Sequence, residues 1–321
     1  MPARSTGNDF PEEQACFLIN NHPNKRMKMQ RRVSLACAAV ILVCSPMLAG
    51  SAAGQVVPLW PDGAPGAKGT AAADIPTLQV FPAPKDVSGP VPAVLLIPGG
   101  GYKHISGDPG VWATLRNKPV RFFSMKYRLP ADGYRHPAPL HDAARAVRTL
   151  RAMAKEWNID GSRVVVVAFS SGGHVATTLA THYTTGDPKA ADPVERFSSR
   201  PDCMVLFCPV VSMIEHPHGP SVARLLGPDP GQGLLKELSN ELQVTKETTP
   251  AMLGHAKDDK LVPPENSMLY HEALKKAGVP TELHLYESGG HGVMNETNPW
   301  KQDMEAWLIQ RGILPDGYQD R

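Results

Sequence analysis

The stretch "VVVVAFSSGGHVA", Val164 to Ala176, runs four valines into two adjacent serines and two glycines. A serine in a sharp strand-to-helix turn can act as a nucleophile if small neighbours let strand and helix crowd around it, as in G-x-S-x-G. In the frame Ala168-Phe169-Ser170-Ser171-Gly172 the nucleophile is Ser170. The other register puts Phe169 where a small residue is needed. A hydroxyl at its ordinary pKa is a poor nucleophile, so the chain must also supply a base, an orienting carboxylate and donors for a developing oxyanion.

On a strand–turn–helix scaffold these partners follow in the order Ser, Asp or Glu, His. His291, in "ESGGHGVM", lies in a glycine-rich loop after the last strand pattern, whereas His271 falls inside a helix pattern and His284 inside a strand pattern. For the carboxylate, "HAKDDKLVP" offers Asp258 and Asp259. Asp259 is preferred because Leu261-Val262-Pro263 can anchor the far side of its loop, and Asp258 stays an alternative. Upstream, "LLIPGGGY" ends a strand with three glycines. Gly100 and Gly101 are expected to donate their N–H groups to an oxyanion, together with the N–H of Ser171. No Gly-Lys-Ser/Thr follows and G-x-G-x-x-G is absent, so a phosphate loop is not expected.

Tyr102 and Trp112, beside that loop, could stack on a sugar ring or equally serve packing, and His218 could line the pocket. His216 and His218 in "EHPHG" have no third ligand at metal-site spacing, and H-E-x-x-H is absent. Neither a metal nor any other cofactor is expected. His174, one turn after Ser170, reads as a packed helix residue. Arg128, Asp142 and His136 read as ties between loops and sheet.

These groups need a rigid frame. Strand patterns cover residues 77–81, 93–97, 120–127, 164–169, 203–211, 251–255 and 282–286. Between them, Leu140, Ala143, Val147, Leu150, Ala154 and Trp157 recur at three- and four-residue steps, marking one helix face. Residues 172–184, 266–277 and 299–311 read as further helices. Such alternation predicts an α/β fold, a mostly parallel central sheet with helices on both faces. Residues 212–249, rich in Gly, Pro and polar side chains, read as an excursion with short helical pieces at 222–226 and 234–242. It either lines a pocket or forms a plain surface loop.

Residues 1–54 read as a leader, leaving 55–321 as a single catalytic domain. From Lys25 a basic stretch precedes an apolar run, Val33 to Leu48, and then small residues with Ser51 and Ala53 at signal-peptidase spacing. The run is short against the about 20 residues of a membrane span. Export through a cleaved signal peptide is therefore expected, with a mature start near Gly54 or Gln55. No stable membrane association is expected after cleavage. Arg31-Arg32 points to the twin-arginine route, and Met1–Arg26 raises the question of the true start codon. The net charge of +2, without a long basic run, argues against a nucleic-acid partner. Cys203 and Cys208, at odd separation on one apolar run, are expected as buried free thiols.

Taken together, "PGGGY", "YRLPADGYRHPAPLHDA", "AFSSGGHVA", "HAKDDKLVP" and "GGHG" resemble the α/β-hydrolase esterases near the hormone-sensitive-lipase-like group. The resemblance is strongest to secreted bacterial carbohydrate esterases, including acetylxylan-esterase and feruloyl-esterase-like members. "PLWPDGAPGA" and "SSRPDCMVLFCPVVSM" look like that subgroup too. The likeness implies the α/β-hydrolase fold, a Ser170/Asp259/His291 triad and an ester substrate, small or polymeric. Departures are Ala168 in place of the first glycine and Pro98 where many esterases have histidine. Two rival readings are a prolyl-oligopeptidase-type peptidase, whose N-terminal propeller a 54-residue leader does not encode, and a non-catalytic binding protein, which predicts decay of a triad member. No member has decayed.

Overall fold

The computed structural model describes residues 54–85 and 87–317. The leader, signal-peptide and start-codon expectations fall outside them. Among the described residues, no helix is long and apolar enough to cross a membrane.

Eight strands form one sheet: β1 (Gln55–Pro58), β2 (Thr77–Val80), β3 (Val91–Ile97), β4 (Arg121–Lys126), β5 (Ile159–Phe169), β6 (Cys203–Phe207), β7 (Ala251–Ala256) and β8 (Thr281–Tyr286). Their order is β1-β2-β4-β3-β5-β6-β7-β8. The six strands from β4 to β8 run parallel, and β2 joins β4 antiparallel with β1 outside it. Among the described residues, seven α-helices accompany the sheet: α1 (Val111–Leu115), α2 (Ala138–Ala152), α3 (Ser171–Thr181), α4 (Gly219–Leu226), α5 (Gln232–Glu237), α6 (Glu265–Lys276) and α7 (Trp300–Gln310).

The strand sequences explain the layering. Successive side chains point to opposite faces, and inner parallel strands are covered on both. Leu95, Ile97, Val166 and Ala168 pack under α2, α3 and α6, through Val147, Leu150, Leu179 and Leu274. Val94, Leu96, Val165 and Val167 pack on the opposite side under α1 and α7, through Leu115, Met304 and Trp307. The predicted α/β architecture is the one observed.

Differences from the sequence reading have local causes. β1 is four residues long and largely exposed, so no apolar pattern announced it. β5 begins at Ile159, because Ile159 and Asp160 pair with Val91 and Pro92 before a bulge. β6 ends at Phe207, where a run to 211 was expected, because Cys208 turns the chain at φ 38°. Short α1 starts where the Asp108 carboxylate accepts from the N–H groups of Gly110, Val111 and Trp112. The expected helix at 234–242 is α5 followed by a separate turn at Asn240–Leu242.

Cys203 and Cys208 are both buried and free, and Trp307 Nε1 donates to Cys203 Sγ at 3.1 Å. Arg128 and Asp142 tie loop to helix: the Arg128 guanidinium meets the carboxylate at 2.7 Å, and the Arg128 N–H donates to the same group at 2.8 Å. Arg128 also donates to the carbonyl of Pro65 at 2.7 Å, holding down the segment after β1. The N–H of His136 donates to the Leu225 carbonyl at 3.1 Å, joining the entry of α2 to α4.

Candidate active site

A parallel sheet directs all its carboxyl-end loops to one edge, where ligands of open α/β sheets bind. Ser170 follows β5 directly, with φ 55° and ψ −131°, a backbone shape that costs a non-glycine residue on the order of 1–3 kcal/mol. Neighbouring strands enforce it. The Ser170 N–H donates to Phe207, and its carbonyl accepts from Gly173 and Val210. A side chain at Gly172 would come within 2.3 Å of the Ile97 carbonyl, so only glycine lets α3 cross β3 this closely.

Ser170 Oγ lies 2.9 Å from His291 Nε2, and His291 Nδ1 lies 2.7 Å from Asp259 Oδ2. A carboxylate only accepts, so the ring proton sits on Nδ1. Nε2 is left to accept from the serine hydroxyl. Asp259 is buried, and its other oxygen accepts from the N–H groups of Leu261 and Val262 at 2.9 and 3.0 Å. Burial alone would raise its pKa. Hydrogen bonds from His255, His291 and Val262 outweigh that and hold the carboxyl well below the usual range. For His291, burial pulls the imidazole down, but the bond to Asp259 prevails and holds it above its ordinary value.

Asp258, the alternative acid, is exposed, and its carboxylate accepts from the N–H of Gly290 at 2.7 Å. It steadies the loop of His291 while Asp259 faces the ring. His271 sits in α6 beside Thr281, and His284 sits in β8 beside Glu282, as their patterns indicated.

The glycine loop after β3 holds Gly100 at φ 118° and Gly101 at φ 60°. A side chain at Gly100 would fall 2.0 Å from the His104 carbonyl. Among the described residues, the N–H groups of Gly100, Gly101 and Ser171 have no acceptor within the chain, so all three can donate to a ligand. Tyr127 donates to the Pro98 carbonyl at 3.0 Å and fixes the loop's root.

Tyr102 and Trp112 both take the packing alternative. Tyr102 is fully buried, because φ 61° turns its ring inward, where its hydroxyl meets His174 Nδ1 at 2.8 Å. It offers no open face to a ring. Trp112 packs against Phe81 and Phe122, with tilted rings whose centroids lie 4.9 and 5.5 Å away. His218 does reach the site: its Cε1 would stand 3.9 Å from a side chain at Gly101, while its Nδ1 pairs with Ser221 Oγ at 2.8 Å. Burial, then the nearby His291 and Arg224 charges, hold its imidazole below the ordinary value. His174 is a buried connector, with Nε2 2.9 Å from the Leu238 carbonyl, and burial pushes its pKa down to about 4.

Sequence reasoning missed three residues here. His255, fully buried at the end of β7, places Nε2 3.2 Å from Asp259 Oδ2; the four-residue spacing in "HAKDD" could have signalled it. Arg224 donates to the Gly101 carbonyl at 2.8 Å, a contact with no local signal. Cys208 lies with Sγ 3.7 Å from the His291 carbonyl. One ligand atom each from Cys208, Asp259 and His291 lie within 4.8 Å of one another, so these three could hold a metal ion. An ion there would compete for the nitrogen and oxygen that link His291 to Asp259.

What the arrangement can do is move a proton from a serine hydroxyl to an imidazole beside free N–H donors. A family model described as BD-FAE matches residues 80–274. The chain is 33% identical over 229 residues to an acetylxylan esterase of Xylanibacter ruminicola, covering 67% of this chain and 45% of that one. It is 35% identical over 207 residues to endo-1,4-beta-xylanase B of Butyrivibrio fibrisolvens, covering 62% of this chain and 32% of that one. The chain thus spans less than half the length of these curated relatives. The crystal structure of an acetyl ester-xyloside bifunctional hydrolase from Caldicellulosiruptor lactoaceticus superposes with a TM-score of 0.75 at 39% identity, covering 82% of this chain and 98% of that one. With the family match extending over more than half of its residues, the chain belongs to the BD-FAE family and has the α/β-hydrolase fold.

Proposed function

We propose that the protein is a serine carboxylic-ester hydrolase that removes acetyl groups from carbohydrate, with residues 55–321 as its catalytic domain. Ser170 is the nucleophile, His291 the base and Asp259 the residue that orients it. The observation that carries this reading is the unbroken Ser170–His291–Asp259 chain at 2.9 and 2.7 Å.

As Ser170 Oγ attacks the ester carbonyl, its proton passes to His291 Nε2. The tetrahedral oxyanion is received by the N–H groups of Gly100, Gly101 and Ser171. Donors preorganised where charge develops are each worth about 3 kcal/mol. His291 then gives its proton to the leaving alcohol, which departs from an acyl-Ser170 intermediate. Water, deprotonated by the same imidazole, attacks the acyl group and releases the acid.

The choice of acetylated sugar draws support from the acetylxylan esterase and acetyl ester-xyloside hydrolase to which the chain is similar. An exported enzyme, as the leader suggests, would meet such polymers outside the cytoplasm. The 212–249 excursion, which brings His218 to the site, is the segment we assign to the sugar side.

The test is hydrolysis of an aryl acetate by Ser170→Ala and Ser171→Ala. Ser170→Ala is expected to lose on the order of 10⁴- to 10⁶-fold in kcat. Ser171→Ala should lose far less, because the reacting atoms meet only its backbone N–H while its hydroxyl, accepting from the Tyr102 N–H at 3.3 Å, only braces the loop. Full activity in folded Ser170→Ala would overturn the reading, and turnover of peptides in preference to esters would favour the peptidase alternative.

A further inference from the structure

We propose that Arg224 is a positioning residue, reaching from the 212–249 excursion to hold the Gly100–Gly101 loop in the shape that receives an oxyanion. The inference rests on the nucleophile assignment of Ser170 and extends it to the side chain that orients the donors.

Arg224 Nη1 donates to the Gly101 carbonyl at 2.8 Å, across 123 positions of sequence. The N–H of the same peptide unit, on Tyr102, donates to Ser171 Oγ at 3.3 Å. The Gly101–Tyr102 peptide is therefore held at both edges, one by the excursion and the other by the first residue of α3.

The loop needs such a clamp. Gly100, Gly101 and Tyr102 have φ values of 118°, 60° and 61° in succession. Glycine adopts this region freely and leaves it just as freely, whereas tyrosine occupies it under strain. Two consecutive glycines resist no rotation by themselves. Turns within the loop hold the peptides that carry these two N–H groups, the Gly99 carbonyl accepting from Ser106 at 3.1 Å and the Gly100 carbonyl from Lys103 at 3.0 Å; the next peptide, at Gly101, is the one that Arg224 holds from outside the loop. Donors that must reorganise during the reaction lose most of their catalytic advantage.

Arg224 is well placed to act. It lies on α4, whose Leu225 is buried in the core and accepts a hydrogen bond from the N–H of His136. The half-buried guanidinium makes a charge-assisted bond to the carbonyl, stronger than a neutral donor would make. A side chain at Gly101 would come within 3.3 Å of Nη1, so loop and arginine are packed against each other as well as bonded.

The test compares R224M and R224K with wild type and S170A. An aryl acetate reports kcat and KM, and a boronic acid that forms a tetrahedral adduct on Ser170 reports Ki. R224M is expected to lose about tenfold or more in kcat with KM changed less than about twofold. Its boronate Ki should weaken by a similar factor. R224K, which keeps a cationic donor, should recover part of both, and it carries the test alone if R224M does not fold. Wild-type kcat and Ki in folded R224M, or a change confined to KM, would overturn the inference. Wild-type turnover by S170A defeats the nucleophile assignment itself, whereas an inactive S170A beside an unimpaired R224M defeats only the role of Arg224.

Discussion

His255 Nε2 lies 3.2 Å from Asp259 Oδ2, the same oxygen that stands 2.7 Å from His291 Nδ1. The His255 Nε2 also faces the Val262 carbonyl at 3.0 Å, so that nitrogen must carry the proton and donate to both. His255 Nδ1 is then free to accept from the Ser267 hydroxyl at 2.7 Å. Asp259 thus receives four donors: His291, His255 and two backbone N–H groups. None of its lone pairs has to search for a partner, which fixes the carboxylate and, through it, the His291 ring.

Replacing His255 by leucine should therefore slow the enzyme without touching substrate. Losing a hydrogen bond to a buried charge is worth about 1.5–3 kcal/mol, or roughly a ten- to hundredfold loss in kcat/KM. With one donor gone, the Asp259 charge is less offset and grips protonated His291 more tightly, so the acid limb of the pH–rate profile should move to higher pH. His255→Gln, whose amide can reach the same acceptors, should restore most of the rate and the limb. A His255→Leu variant with an unmoved limb would mean that His255 only fills space.

The pH dependence of wild type follows from the same pair. His291 must be neutral to take the serine proton, and Asp259 holds its pKa above the ordinary value of about 6.5. Activity is thus absent when the ring is protonated and rises with pH through a limb on the alkaline side of that value. Initial rates on an aryl acetate from acid to mildly alkaline pH read this directly. A limb below the ordinary histidine value would contradict the strength of the Asp259 contact.

Stability should depend on a second buried carboxylate. Arg128 and Asp142 have side chains only 1% and 0% exposed, and pair at 2.7 Å. Arg128→Met leaves Asp142 without its ionic partner, which typically costs about 3–5 kcal/mol. In a domain of this size each kcal/mol shifts Tm by about 2–4 °C. Arg128→Met/Asp142→Leu should recover part of the loss, because the orphaned charge is gone too. Thermal melts of both variants test this, and equal Tm values would rule out the unpaired charge as the cause.

How far the site was legible depended on what each residue's position required. Ser170, Asp259 and His291 stand in loops at strand ends, and their order along the chain is imposed by the sheet. Local pattern picks them out as candidates, and the structure brings their side chains within hydrogen-bond distance. For Tyr102 local pattern leaves ring contact and packing equally open, because the direction of its ring is decided by a positive φ that no neighbouring residue type announces. Arg224 was invisible, since its partner lies 123 positions away and the segment between carries no periodicity that would fold one onto the other. β1 escaped notice because a four-residue edge strand facing solvent needs no apolar alternation.

The low exposure of Ser170 predicts a preference for short acyl groups in the proposed esterase. The residue is only 9% exposed, with buried Cys208 and His218 beside the site and Phe169 before it in the chain. With Tyr102 turned inward, its ring adds no bulk over Ser170, and Cys208, His218 and Phe169 are the neighbours to test as limits on acyl length. Burying one more methylene is worth only about 0.8 kcal/mol, which cannot by itself make an enzyme prefer acetate. Preference must come from exclusion of longer chains. Across aryl esters of rising acyl length, kcat/KM is therefore expected to be highest for acetate and to fall steeply before octanoate. Acetylated xylo-oligosaccharides should release acetate in the same assay. Enlarging the site with His218→Ala should flatten the acyl-length profile if that ring is one of the walls. A wild-type preference for octanoate or longer, or no acetate from any sugar ester, would defeat the carbohydrate assignment and leave a general serine esterase.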